Sequence, residues 1–157
     1  MRGPRQSLRN RAIASSFRAE RCLIPADGFY EWRREGNGKV PVWFHLKKKQ
    51  PFAFAGLWDM WRDIDGEVLH SFTIITTVPN ALLRRIHNRM PVIFDELQGK
   101  QWLDPRLSTR PADIAAVLAP FPSEQMQAHD VSPLVNKPEY DSVECIRPVR
   151  DLQSRLL

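Results

Sequence analysis

From Phe29 to Val78 the chain alternates strand-patterned runs with short polar turns, a rhythm that admits few architectures. Phe29–Arg34 reads as a strand, and Glu35-Gly36-Asn37-Gly38-Lys39 as the hairpin connection after it. Val40–Leu46 is the return strand, followed by the loop Lys47-Lys48-Lys49-Gln50-Pro51. Phe52–Met60 is largely apolar and fit for a buried position. Asp63-Ile64-Asp65-Gly66-Glu67 turns it back into Leu69–Val78, whose β-branched content reads as a central strand. There is no βαβ rhythm, no internal repeat and no glycine-rich phosphate loop.

The flanking segments are helical or mixed. Leu8, Ala12, Ile13, Ala14 and Phe17 fall along one side of a predicted short helix, with arginines on the other. Pro25-Ala26-Asp27-Gly28 is a turn into the first strand of the series. Pro79 ends Leu69–Val78, and Asn80 caps a predicted short helix at Ala81–Ile86. Met90–Phe94 reads as a strand, Asp95 caps a helix at Glu96–Leu103, Pro111–Leu118 is a helix with Pro in its first turn, and Gln127–Ser132 is a late strand. The expectation is a single α+β domain over residues 1–157: a curled antiparallel β-sheet with a barrel-like core and short flanking helices.

Bulk properties narrow the setting. At 157 residues, 43% hydrophobic and 26% charged, the chain has a globular composition and the length to bury a core. No apolar run approaches the ~18 residues of a membrane span. Cys22 and Cys145 are too few for a disulfide framework and suit a reducing compartment. No secretory segment is present, and the Arg-rich start runs directly into a strand, unlike a removable presequence, so the cytoplasm is expected. The formal charge of +5 is concentrated at the front, where six arginines (Arg2, Arg5, Arg9, Arg11, Arg18, Arg21) stand against the single acid Glu20. Such an arm favours polyanions through phosphate neutralisation; a solvated terminus would carry the same pattern.

Two constellations carry candidate chemistry. Glu31 stands between Tyr30 and Trp32 on a strand leaving a turn. Such a carboxylate either faces water, or sits at a cleft where loss of water favours the protonated form and makes a proton carrier near neutral pH. The second is Ile86-His87-Asn88-Arg89-Met90-Pro91, between a short helix and a strand. There His87 can exchange a proton near neutral pH and Arg89 can grip a phosphate, although a helix-terminal histidine beside a surface arginine fits the same residues. His45, His70 and His129 lie in or beside strand patterns, and none of the four histidines has a His or Cys at metal-ligand spacing. No Gly-x-Ser-x-Gly elbow occurs, and Cys22 and Cys145 sit in apolar runs as small core residues. Of five tryptophans, Trp43 and Trp58 read as core, while Trp32, beside Glu31 and Arg33-Arg34, is the candidate for a nucleobase contact.

Taken together, Arg21–Trp32 and Ile86–Phe94 resemble the signatures of the SOS-response-associated peptidase family of abasic-site-shielding proteins. The strand Phe72–Thr77, Val131-Ser132 and Val135-Asn136 extend the likeness over roughly residues 5–149. The resemblance implies binding to single-stranded DNA containing abasic sites, by a monomer in the cytoplasm that joins the nucleoid on DNA, with no metal or organic cofactor. It also implies a covalent link: an N-terminal cysteine's α-amine and thiol close a thiazolidine on the ring-opened sugar. Residue by residue, the proton-transfer roles fall on Glu31 and His87, a phosphate contact on Arg89, and a DNA-facing aromatic on Trp32. Members are also classed as peptidases, because a few lose residues preceding the cysteine; nothing here points to proteolysis of other proteins.

The likeness departs at the front. The sequence begins Met1-Arg2-Gly3-Pro4 rather than Met-Cys-Gly-Arg, and neither Cys22 nor Cys145 matches the family nucleophile. A family asparagine near the start has no counterpart in register, Asn10 being displaced from it. The expectation is therefore a family member shortened at its N-terminus, unable as written to form the crosslink. The alternative is a non-catalytic single-stranded DNA-binding remnant or an inactive fragment.

Overall fold

The computed structural model describes residues 20–107 and 110–149. The helix expected around Leu8–Phe17 and the Arg-rich arm fall outside these residues. The α+β class is as expected: antiparallel sheets with few helices and, among the described residues, no closed barrel. The strands are β1 (Arg21–Ala26), β2 (Gly28–Glu35), β3 (Gly38–Leu46), β4 (Phe52–Arg62), β5 (Val68–Ile74), β6 (Thr76–Thr77), β7 (Met90–Pro91), β8 (Ile93–Phe94) and β9 (Met126–Asp130). The helices are α1 (Glu96–Leu103) and α2 (Pro111–Val117). The chain forms two compact units, each assembled from three segments: one from residues up to Pro25, Phe52–Thr77 and Pro91–Pro120, the other from Ala26–Pro51, Val78–Met90 and Phe121 onward.

In the first unit the sheet order is β1-β4-β5, with β8 paired to the start of β4 through Ala53↔Phe94 and Phe54↔Ile93. The core gathers Ala55, Leu57, Val92, Phe94 and Trp102, with Leu23, Ile75, Leu107, Val117 and Leu118 packed around them. Asp95 starts α1 with a reciprocal cap: its carboxylate accepts from the Gln98 N–H at 2.8 Å, and the Gln98 side chain accepts from the Asp95 N–H at 3.2 Å. The cap directs α1 so that Trp102 is wholly buried and its indole N–H reaches the Cys22 carbonyl at 3.0 Å.

Two expectations fail here. The segment read as a central strand begins as β5, which among the described residues is an edge strand, exposed at every position. Trp58, expected in the core, is 42% exposed, because β4 is buried only in its first half. Both errors have one cause. β-branched and aromatic content reports fitness for a pleated surface, and the choice between centre and edge is made by partners elsewhere in the chain. The expected strand Met90–Phe94 also divides in two at Val92, whose N–H donates to Ile75 O and whose carbonyl accepts from Ala55 N–H.

The second unit holds the sheet β2-β3-β9. A two-residue turn, Gly36-Asn37, joins β2 to β3, with Gly36 at φ +56° as the first central position of a type II′ turn requires. Because partners across an antiparallel pair share a face and successive residues alternate, the register sorts every side chain. Phe29, Glu31, Arg33, Val42, Phe44, Leu46, Met126, Ala128 and Asp130 share one face. Tyr30, Trp32, Trp43, His45, Gln127 and His129 share the other. On this second face run two short 3-10 turns, Pro133–Asn136 and Val143–Ile146. They are held by Trp32 Nε1 to Asn136 Oδ1 at 2.8 Å, Tyr30 OH to Cys145 O at 3.2 Å and His129 Nε2 to Ile146 O at 2.8 Å. Gly28 keeps β2 close to β3: a Cβ there would collide with the Trp43 indole and the Phe44 carbonyl.

Candidate functional site

Glu31 pairs with Val42 in the β2–β3 register and is half-buried. No hydrogen bond or ion pair ties its carboxylate to another described residue. Two residues along the same face, Arg33 grips Asp130 with both terminal nitrogens, at 2.7 and 2.8 Å, and reaches Glu35 at 3.2 Å. Hydrogen bonds to Asp130 first, then to Glu35, raise the Arg33 pKa further above its ordinary value. The charge of Arg33 is thus committed to these carboxylates, and Glu31 is left without a dedicated cation.

The His87 segment is not the helix expected at Ala81–Ile86. A single 3-10 turn, Leu83–Arg85, takes its place; its N-cap residue is Leu82 rather than Asn80, which instead braces the turn from two positions before that residue. Asn80 Oδ1 accepts from the Leu82 and Leu83 N–H groups, each at 3.1 Å, while its Nδ2 donates to Phe121 O at 2.8 Å and lies 3.3 Å from Met126 Sδ. Its own N–H points at Met90 Sδ, 3.2 Å away. One buried amide therefore closes both ends of the loop, whose apolar anchors Leu83 and Met90 are fully buried. Met126 pairs with Leu46 and so belongs to the Glu31 face of the sheet. The His87 loop is fastened to that face, toward its Leu46–Met126 end.

Within the loop His87, Asn88 and Arg89 are exposed, as are Arg84 and Arg85. The His87 N–H donates to Leu83 O at 2.9 Å. Its Nδ1 lies 3.1 Å from both the backbone N and the backbone O of Arg89. With its lone pair on Nδ1 the ring accepts from that N–H, and with a proton there it donates to that carbonyl, so the backbone of Arg89 can partner either form. Nε2 has no hydrogen bond to any described residue. Arg84 and Arg85 form no ion pair with any described residue, which makes this a cationic rim suited to phosphate.

The structure therefore fastens the segment that carries His87–Arg89, through Asn80 and Met126, to the sheet face that bears Glu31; Glu31 and His87 share no hydrogen bond. Trp32 lies on the opposite face, 38% exposed, on edge strand β2 with its indole N–H given to Asn136. Sequence reasoning missed the Arg33–Asp130 clamp and the anchoring role of Asn80, because both depend on partners 97 and 46 positions away. Cys145 is buried, its thiol directed at Tyr140 O, and burial pushes the Cys22 thiol up, which disfavours its thiolate. Among the described residues, no group of three or more His, Cys, Asp or Glu is arranged to hold a metal ion.

Asn80→Ala should cost about 2 kcal/mol, since it removes the acceptor of the Leu82 and Leu83 N–H groups and strands the Phe121 carbonyl. Chemical denaturation would measure this, and faster amide exchange at Leu82 and Leu83 would identify the loop as the part released. An unchanged unfolding midpoint would contradict the anchoring role.

The chain belongs to the SOS response associated peptidase (SRAP) family, whose pattern matches residues 6–138. It is 45% identical over 129 residues to the abasic site processing protein YoqW of Bacillus subtilis (strain 168), covering 82% of this chain and 57% of that protein. It is 34% identical over 154 residues to the abasic site processing protein HMCES of Gallus gallus, covering 85% of this chain and 45% of that one. The chain thus spans about half the length of these relatives. Among solved structures, a protein from Bacteroides thetaiotaomicron superposes with a TM-score of 0.79 at 30% identity, over 94% of this chain and 71% of that one. No helix among the described residues is long and apolar enough to cross a membrane.

Proposed function

We propose that this chain recognises abasic sites in single-stranded DNA as part of a DNA-damage response, acting as a monomer in the cytoplasm and on the nucleoid. The observation that carries the reading is the fastening of the His87 loop, through Asn80 and Met126, to the sheet face that bears Glu31. Arg89, with Arg84 and Arg85 beside it, contacts the phosphates, and Trp32 on the edge strand contacts a base. His87 delivers a proton through Nε2 to the ring oxygen of the abasic deoxyribose, opening it to the aldehyde. Glu31 carries the proton for amine attack and for loss of water.

In the complete reaction the amine and aldehyde give an imine and water. The thiol sulfur then adds to the imine carbon, and its proton passes to nitrogen. These steps need an N-terminal cysteine, a part that neither Cys22 nor Cys145 fills. Incubated as given with abasic single-stranded DNA, the chain should bind without a heat-stable shifted band on denaturing electrophoresis. Such a band would overturn this division of roles.

Binding itself should weaken steeply with salt, as phosphate contacts displace counterions, and Arg89→Ala should reduce the slope of log K against log salt by about one. Fluorescence anisotropy over a salt series measures both. Salt-independent binding, or none at low salt, would remove the DNA-binding reading. Salt-dependent binding that no front extension converts to a covalent link would favour a purely DNA-binding role.

A further inference from the structure

The sheet face opposite Glu31 carries a second set of polar groups that the reading above does not use. A cavity of about 490 Å³ opens there, within the range that holds small organic ligands. His45 and His129 line it, their rings 5.5 Å apart between centroids and inclined at 62°. Each imidazole is fixed by one nitrogen. His45 Nδ1 donates to Leu46 O and His129 Nε2 to Ile146 O, both at 2.8 Å. Among the described residues no buried side-chain nitrogen lacks a partner, so His45 Nε2 and His129 Nδ1 are open to the cavity. Two imidazoles with set tautomers and one free nitrogen each are oriented for a ligand.

The remaining walls divide by chemistry. Lys49 and Arg147 add positive charge; Arg147 is partnered by Glu144, whereas Lys49 forms no ion pair with any described residue. Asp27 is the one carboxylate of the lining. The Trp43 indole and Ile146 supply an apolar wall. Lys49 also has φ +53°, the left-handed region that lysine seldom adopts, in a turn closed by its N–H to Leu46 O. That turn fixes the backbone from which the lysine reaches the cavity.

We propose that this cavity binds a small organic phosphate, a phosphomonoester on a ring-bearing body of nucleoside size. The phosphate meets Lys49 and Arg147, the open imidazole nitrogens accept from hydroxyl or N–H donors of the organic body, and the ring lies against Trp43 and Ile146. Inorganic phosphate would leave most of the volume and the apolar wall unused, and an unphosphorylated nucleoside would leave the cations unmatched.

Titration calorimetry of the full chain with thymidine 5′-monophosphate, thymidine and inorganic phosphate separates these terms. The monophosphate should bind about tenfold more tightly than either fragment. Lys49→Asn removes the charge while tolerating the left-handed backbone, and should weaken the monophosphate about tenfold. His129→Gln retains a donor for Ile146 O and should weaken it as well. Arg89→Ala should leave this affinity unchanged, which locates the ligand away from the His87 loop whether or not that loop binds DNA. Equal affinity for thymidine or for inorganic phosphate, no effect of Lys49→Asn in a variant that melts like the parent, or loss of binding in Arg89→Ala would each overturn the proposal.

Discussion

His87→Gln should slow covalent capture of abasic single-stranded DNA by about a hundredfold or more, in a form of the chain extended at its front to begin with cysteine. Glutamine keeps the size and a polar tip but cannot exchange a proton near neutral pH. The loss should therefore appear in the single-turnover rate and leave DNA affinity largely intact. Glu31→Gln should act in the same way. If the two groups serve one proton-transfer sequence, the double variant should be little slower than the worse single one. Quantifying the heat-stable band against time gives all three rates. A change of less than about threefold in either single variant would exclude that residue from the chemistry, since general acid–base groups contribute far more.

The second large effect concerns the fold. Trp102→Ala should destabilise the chain by about 4 kcal/mol, because it empties a fully buried indole site and strands the Cys22 carbonyl. The cavity would lie at the centre of the cluster with Phe94, Val92, Leu57 and Ala55. Since single domains are held by only ~5–15 kcal/mol, much of the folding margin would go. Urea denaturation should show the midpoint falling at an unchanged slope. Trp102→Phe, which refills most of the volume but not the hydrogen bond, should recover roughly half of the loss. A cost below about 1 kcal/mol would mean that the cluster closes around the vacancy.

What could be read in the sequence was local. The β2–β3 hairpin, the Asp95 cap and the limits of α1 at Glu96–Leu103 depend on residues a few positions apart and appear as expected, except that the connection read as Glu35–Lys39 tightens to Gly36-Asn37. The misreadings were of long-range arrangement. Nothing in Leu69–Val78 says that, among the described residues, no further strand pairs beyond β5, and nothing in Trp58 says that β4 leaves the core at its midpoint. The candidate site divides along the same line. Glu31 and the His87 loop were recognisable from their own residues, but their shared face rests on the chain of pairs Glu31↔Val42, Leu46↔Met126 and Asn80 to Met126. Period-two alternation separates Trp32 from Glu31 at once, yet the face each would occupy awaited a register.

That register hangs on a turn of two residues. Between Glu35 and Gly38 the chain has room for Gly36-Asn37 and nothing more, and every pairing down to Gly28↔His45 is counted from there. A single inserted residue that slipped β2 by one step would rotate its whole sequence to the other side. Glu31 would then face the His45–His129 cavity, and Trp32 would stand where the carboxylate had been. The chemistry of both faces is therefore encoded in a loop that touches neither, and a change in its length would be a change of function before it was a change of stability.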